Sequence, residues 1–150
     1  MPRPVFIVCA QYGTEDKTTG QMSLFGIVDK LVVSAVPPQP VGGIVVINFP
    51  TLYVAAKWMR NQDDDQDQMY EVTLQGIAPD GKIVVDSSYD NFKFAENRPL
   101  HIVVMILRTP LQFTSAGTLL FVGKLRRAGS DEKWLSQDYP VAIEVSAPAP

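Results

Sequence analysis

Cysteine is almost missing from this chain of 150 residues, and its one copy, Cys9, lies inside the apolar run Val5-Phe6-Ile7-Val8-Cys9-Ala10. A lone thiol cannot close an intrachain disulfide, so the core alone must hold the fold, and a reducing, cytoplasmic setting is expected. In an apolar strand that thiol behaves as a small hydrophobe with a raised pKa. Histidine is equally scarce. His101 is the only imidazole, it stands one residue into an apolar strand, and no Gly-x-Ser-x-Gly elbow is present. Acyl transfer by a Ser-His-Asp arrangement is therefore not expected, and the sequence reads as that of a non-enzyme.

Concentrated positive charge is lacking too. Thirteen basic residues against sixteen acidic ones leave a net charge of -3, and the only basic group is Lys124, Arg126 and Arg127. That pattern carries no footprint for nucleic acid. Long apolar runs are missing: Gly, Pro or charge breaks each one before it could span a bilayer, and Gln11, Tyr12 and Gly13 end the first too early for a secretory signal. Gly42-Gly43 lacks the following Lys and helix of a phosphate-binding loop. No cofactor, nucleic acid or membrane is predicted as a partner.

What remains is ordinary globular material, 46% hydrophobic and 19% charged, expected to form one domain over residues 1–146 with a frayed tail at 147–150. Helical periodicity is scarce, while apolar, β-branched segments recur between turn signals. Val5 to Tyr12 is the first, followed by a polar connection over residues 13–20. Met22 to Val33 reads as one long strand, kinked or bulged at Gly26. Pro37-Pro38-Gln39-Pro40 must be a loop, and Ile44 to Phe49 a buried strand. Thr51 to Arg60 fits either period and is taken as strand.

Tyr70, Val72 and Leu74 alternate with Glu71, Thr73 and Gln75, which predicts a strand buried on one face. Pro79-Asp80-Gly81 is the turn chemistry of a hairpin returning through Lys82 to Asp86. Ser87 to Pro99 is loop-rich, Leu100 to Leu107 is strand, Thr118 to Arg126 sends Leu119, Phe121 and Leu125 to one face, and Val141 to Val145 closes the set. The fold expected is all-β: an antiparallel β-sandwich of about eight strands with immunoglobulin-like or related topology. The first apolar segment and Leu100 to Leu107 lack polar alternation, so they are expected either to lie centrally or to have their second face covered too, for which another subunit is one cover a sandwich allows.

Two places could carry chemistry. In Asn61-Gln62-Asp63-Asp64-Asp65-Gln66-Asp67 the carboxylates of Asp63, Asp65 and Asp67 stand at alternate positions and are candidate oxygen ligands for Ca²⁺. The sixth and twelfth positions, Gln68 and Leu74, are not the Gly and Glu of a calcium helix-loop-helix, and a solvated loop tip is the favoured explanation of the charge. Trp134, in the polar stretch Gly129 to Lys133, and Tyr139 are the candidate contacts for a partner or a sugar ring. Trp58 and the remaining aromatics are read as core.

The segment Gly20-Gln21-Met22-Ser23-Leu24-Phe25-Gly26-Ile27-Val28-Asp29 resembles the opening signature, Gly-x-x-Ser-Leu-x-Gly-x-x-Asp, of a family of small uncharacterised bacterial proteins, a domain of unknown function. The Pro79-Asp80-Gly81 turn and the closing pair of strands are similar, with Pro38 to Phe49 as an insertion. The resemblance implies a compact β fold in a bacterial cytoplasm, and no functional residue. The function expected is a non-enzymatic binding or assembly module that uses a sheet face or edge strand to contact itself or another protein. The alternative is a small-ligand module, Ca²⁺-dependent or carbohydrate-binding, using loops at one end of the sandwich; a carboxylate hydrolase is the weakest reading.

Overall fold

β-Branched and aromatic residues fill the segments between turns, and these segments are extended chain. The computed structural model describes residues 1–19, 21–34, 45–47, 51–87, 90–108 and 111–146. They form β1 (Arg3–Glu15), β2 (Met22–Ile27), β3 (Lys30–Ser34), β4 (Val45–Ile47), β5 (Leu52–Met59), β6 (Tyr70–Ile77), β7 (Ile83–Asp86), β8 (Asp90–Phe92), β9 (Leu100–Leu107), β10 (Leu111–Phe113), β11 (Gly117–Arg127) and β12 (Leu135–Ser146). Among the described residues there is no helix, and so none that could cross a membrane. The expected tail at 147–150, the proline loop at 37–40 and Gly42-Gly43 lie outside the described residues.

Ten strands make two sheets. One is four-stranded and antiparallel, in the order β2-β1-β5-β9; the other is six-stranded and mixed, in the order β3-β12-β11-β6-β7 with β8 beside β7 on β6. A short antiparallel ribbon of β10 and β4 completes the set. Among the described residues the only parallel pairing joins β12 to β3. One continuous core draws on both sheets: Cys9, Val54 and Ala56 from the first, Leu74, Leu119, Phe121 and Val141 from the second. A smaller cluster of Trp58, Tyr70, Val72, Phe92, Phe94 and Leu125 fills the end near the acidic loop.

Several sequence expectations are met. The β1-β2 connection is a turn in which Asp16 accepts bonds from the N–H groups of Thr18 and Thr19. At the Pro79-Asp80-Gly81 turn Gly81 takes φ 84°, its N–H reaches the carbonyl of Ala78, and Asp80 accepts from the N–H of Lys82. The ambiguous piece after Thr51 is strand, with Leu52, Val54, Ala56 and Trp58 buried.

Other expectations need correction. The strand read over Met22 to Val33 is two strands in different sheets. Val28 donates to the carbonyl of Cys9 in the first sheet, and the next carbonyl, of Asp29, accepts from Ala142 in the second. Both carbonyl and amide partners lie across the gap, so the chain must step from sheet to sheet there. The strand of Tyr70 to Ile77 is not buried on one face only, because Thr73 and Gln75 are 3% and 8% exposed. Ser87 and Asp86 cover them and supply hydrogen-bond partners. The last strand begins at Leu135, ahead of Pro140. That proline is tolerated because β3 pairs with β12 only from Ala142 onward, so no ladder donor is lost at 140 on that side.

Candidate functional site

Residues paired across neighbouring strands share a face, so the register fixes which side chains leave the core. In the four-stranded sheet Ile7, Cys9, Val54, Ala56, Trp58, Val103, Met105 and Leu107 point inward. The opposite face carries rows of paired residues: Phe6, Lys57 and Ile102; Val8, Ala55 and Val104; Ala10, Tyr53 and Ile106. Every one of these except Lys57 is apolar or aromatic. At the β2 side Tyr12 rests against Phe25 and Tyr53, with ring centroids 5.9 and 6.2 Å apart. Tyr12, Phe25 and Ile27 are each more than half exposed, at 56%, 54% and 55%.

A sheet with one wet face ordinarily alternates apolar and polar residues. This one is apolar on both faces, which leaves a contiguous patch of the kind found at interaction sites. Its charge is one-sided as well. Lys57 lies with its ammonium 5.8 Å from the centre of the Phe6 ring, and Arg3 closes the row of Met59 and Leu100. The only carboxylate on the four strands is Glu15, at the far end of β1.

The second sheet is built differently. Its outer face is a network of polar contacts: Lys124 donates to Gln75, Gln75 to Asp86, and Arg126 to Glu71 at 2.7 Å. The N–H of Gly129 and the guanidinium of Arg126 hold Glu71 below the usual carboxylate range. Those groups satisfy one another.

No family model, curated protein or solved structure matches this chain.

Each residue singled out from the sequence has a definite place. In the acidic loop Asp65 accepts from the N–H of Asp67, and Asp67 pairs with Lys93 at 2.7 Å, a contact that lowers its pKa. Asp63 is exposed. The buried member is Asp64, which accepts from the N–H of Asn61 and pairs with the amine of Met1. The loop thus points its carboxylates at different partners, and among the described residues no group of His, Cys, Asp or Glu is arranged to hold a metal.

Trp134 and Tyr139 are not brought together. Trp134 stacks on the guanidinium of Arg126, 4.4 Å from the ring centre, on the outer side of the six-stranded sheet. Tyr139 pairs with Phe121 and turns inward against the core, where burial raises its pKa, with lesser contributions from Asp29 and Cys9. Cys9 is fully buried, and burial pushes its thiol up to about 12. His101 faces inward, stacked on Phe92 at 3.6 Å between centroids and 5° between planes.

A groove of about 560 Å³ opens beside the step from β2 to β3, lined by Gln11, Tyr12, Lys30, Thr51 and Tyr53 over Val28 and Leu52. Its lining holds no carboxylate, imidazole or thiol, and Lys30 is paired with Glu144 at 2.8 Å.

The sequence did carry the signal for the apolar face, in the unalternating runs of the first strand and of Leu100 to Leu107. It had no means of assigning Tyr53, Phe25 and Ile27 to the same surface, because that depends on the strand order.

Proposed function

We propose that this chain is a β-sandwich, of immunoglobulin-like or related topology, that serves as a non-enzymatic binding or assembly module and docks a protein on the outer face of its four-stranded sheet. The sandwich reading is supported by the shared core between the two sheets, and the step at Val28 and Asp29 ties them at one corner.

One observation carries the functional reading: the outer face of β1, β5 and β9 is apolar, with Phe6 and Ile106 exposed, Val8, Tyr53, Ile102 and Val104 half-buried around the buried Ala10 and Ala55, and Lys57 the one charge among their rows. Leaving such a face in water forgoes roughly 25 cal/mol for every Å² that a partner could cover. A flat, pleated, apolar surface is matched best by another sheet or by an apolar helix, not by a small polar ligand.

The test compares the wild-type chain with Tyr12→Glu and Phe25→Glu, purified under identical mild conditions. A protein docked on this face of the wild type should be lost from the variants at unchanged melting temperature. Wild type and variants that all behave as monomers with nothing bound would remove the proposal.

A further inference from the structure

β9 ends the four-stranded sheet, and among the described residues it pairs with β5 alone. It is eight residues long, Leu100-His101-Ile102-Val103-Val104-Met105-Ile106-Leu107, an edge of about 27 Å. Edge strands in monomers are ordinarily blunted by a lysine, a proline, a bulge or an inward charge. β9 has none of these, and its register with β5 is unbroken from Leu100 to Leu107.

The opposite edge is treated differently. β2 is six residues long, contains Gly26 at φ 64°, and runs directly into the other sheet. A blunted edge on one side and an open one on the other restrict strand addition to β9.

What can add there is constrained by both faces at once. On the inner side Val103 and Met105 are only half-buried, whereas Ala56 and Val54, their partners on β5, are fully buried. The core is therefore open along this edge, and an added strand must supply apolar side chains inward. On the outer side it must continue the apolar rows of Ile102, Val104 and Ile106. A strand that is apolar on both faces over eight residues and free of charge is unusual, and β9 itself is one.

We infer that two copies of this chain join through β9, antiparallel about a two-fold axis, into one continuous eight-stranded sheet. The inference rests on the reading of the chain as an assembly module and adds a self-contact at the sheet edge, beside the outer face that docks a protein. A two-fold axis perpendicular to the sheet keeps outer residues beside outer residues only if it passes through a residue. An axis at Val103 brings Arg108 opposite Arg98 of the second copy, a like-charge pair that opposes association. An axis at Val104 brings Arg108 opposite Leu100, Ile102 opposite Ile106 and Val103 opposite Met105 of the second copy. All of those contacts are free of charge repulsion, so Val104 sits on the axis. The contact is isologous and closes on itself, giving a dimer rather than a fibre. An interface one strand wide is at the small end of specific contacts, so dimer grows with concentration.

The experiment is light scattering behind size-exclusion chromatography over a concentration series, with three variants. Wild type should shift from monomer toward dimer as concentration rises. Val104→Lys puts two ammonium groups on the axis and should stay monomeric throughout. Phe25→Glu alters the outer face far from the edge and should dimerise as wild type does. Val104→Cys should cross-link on mild oxidation, since paired Cα atoms about 4.5–5.5 Å apart suit a disulfide and the other thiol, Cys9, is fully buried; if Val104→Lys fails to fold, this variant decides. Dimers of Val104→Lys equal to wild type, or no cross-link, would overturn the inference. A wild-type monomer holding a different protein that Phe25→Glu releases would overturn it too, yet keep the binding-module reading. A monomer with nothing bound to it overturns both.

Discussion

Gly123 on β11 faces Ala56 on β5 so closely that a Cβ added at 123 would lie 3.1 Å from the Cβ of Ala56 and 3.3 Å from a methyl of Leu74. This is where the two sheets come together most intimately among the inward-facing glycines; the Ala56 Cβ is fixed to its backbone, and the Leu74 methyl is hemmed in by the buried core. Gly123→Ala should lower stability by about 1–3 kcal/mol through overpacking, the larger unfolded-state entropy of glycine recovering only part of it. Ala56→Gly in the same chain should restore much of the loss, a coupling that a double-mutant cycle in urea reads directly.

His101 makes stability depend on pH. Burial against Phe92 lowers its pKa below the ordinary histidine value, and Asp90 opposes that shift less strongly. The unfolded chain therefore binds the proton more readily than the folded one. The stability contributed is present in full above about pH 6.5 and drains away as pH falls through that value toward the folded pKa, where it levels off. Thermal melts between pH 8 and 5 should show the decline, and His101→Phe should flatten it within that window. A variant that retains the wild-type slope would assign the dependence elsewhere.

Cys9 should be inert in the native protein. Its thiol is fully buried and held protonated by burial, so a disulfide-exchange reagent should react only at the rate of unfolding and at once in denaturant. Cys9→Ser would bury a hydroxyl among Val54 and the other core side chains, at a cost of about 1–3 kcal/mol.

The acidic loop should not respond to calcium. Asp65 and Asp67 already serve an N–H and Lys93, and Asp64 serves Asn61. Millimolar Ca²⁺ should leave the melting temperature where it was. Asp64→Ala, in contrast, leaves the N–H of Asn61 without its acceptor and should destabilise by about 1–3 kcal/mol. A calcium-dependent rise in melting temperature, abolished by Asp65→Asn, would reverse this account.

How much of this was legible beforehand varies with the physics involved. Local turn chemistry reads well: Asp80 and Gly81 do what their side chains and φ freedom dictate. Alternation reads well where one face is core, as at Leu119, Phe121 and Leu125. It fails where a contact distant in sequence decides burial. Thr73 and Gln75 look solvent-facing until Ser87 and Asp86 fold over them, and Val28-Asp29 looks like strand interior until Cys9 and Ala142 claim its backbone groups. The candidate site fared the same way. The unalternating runs announced a second apolar face, but which strands share it is a matter of order, and nothing in the Asp63 to Asp67 spacing foretold that Asp64 is the member turned inward.

The parallel pairing of Lys30 with Ala142, continuing to Ser34 with Ser146, bears on how the protein is made. During vectorial synthesis β1, β2 and β5 can assemble as soon as they emerge from the ribosome, but the strand neighbour that β3 has among the described residues, β12, is translated last. For most of the time on the ribosome that strand is a nascent, unsatisfied edge. A chain truncated before residue 142 should therefore remain a trapped intermediate that engages chaperones, while the full-length chain, once released from the ribosome, should not.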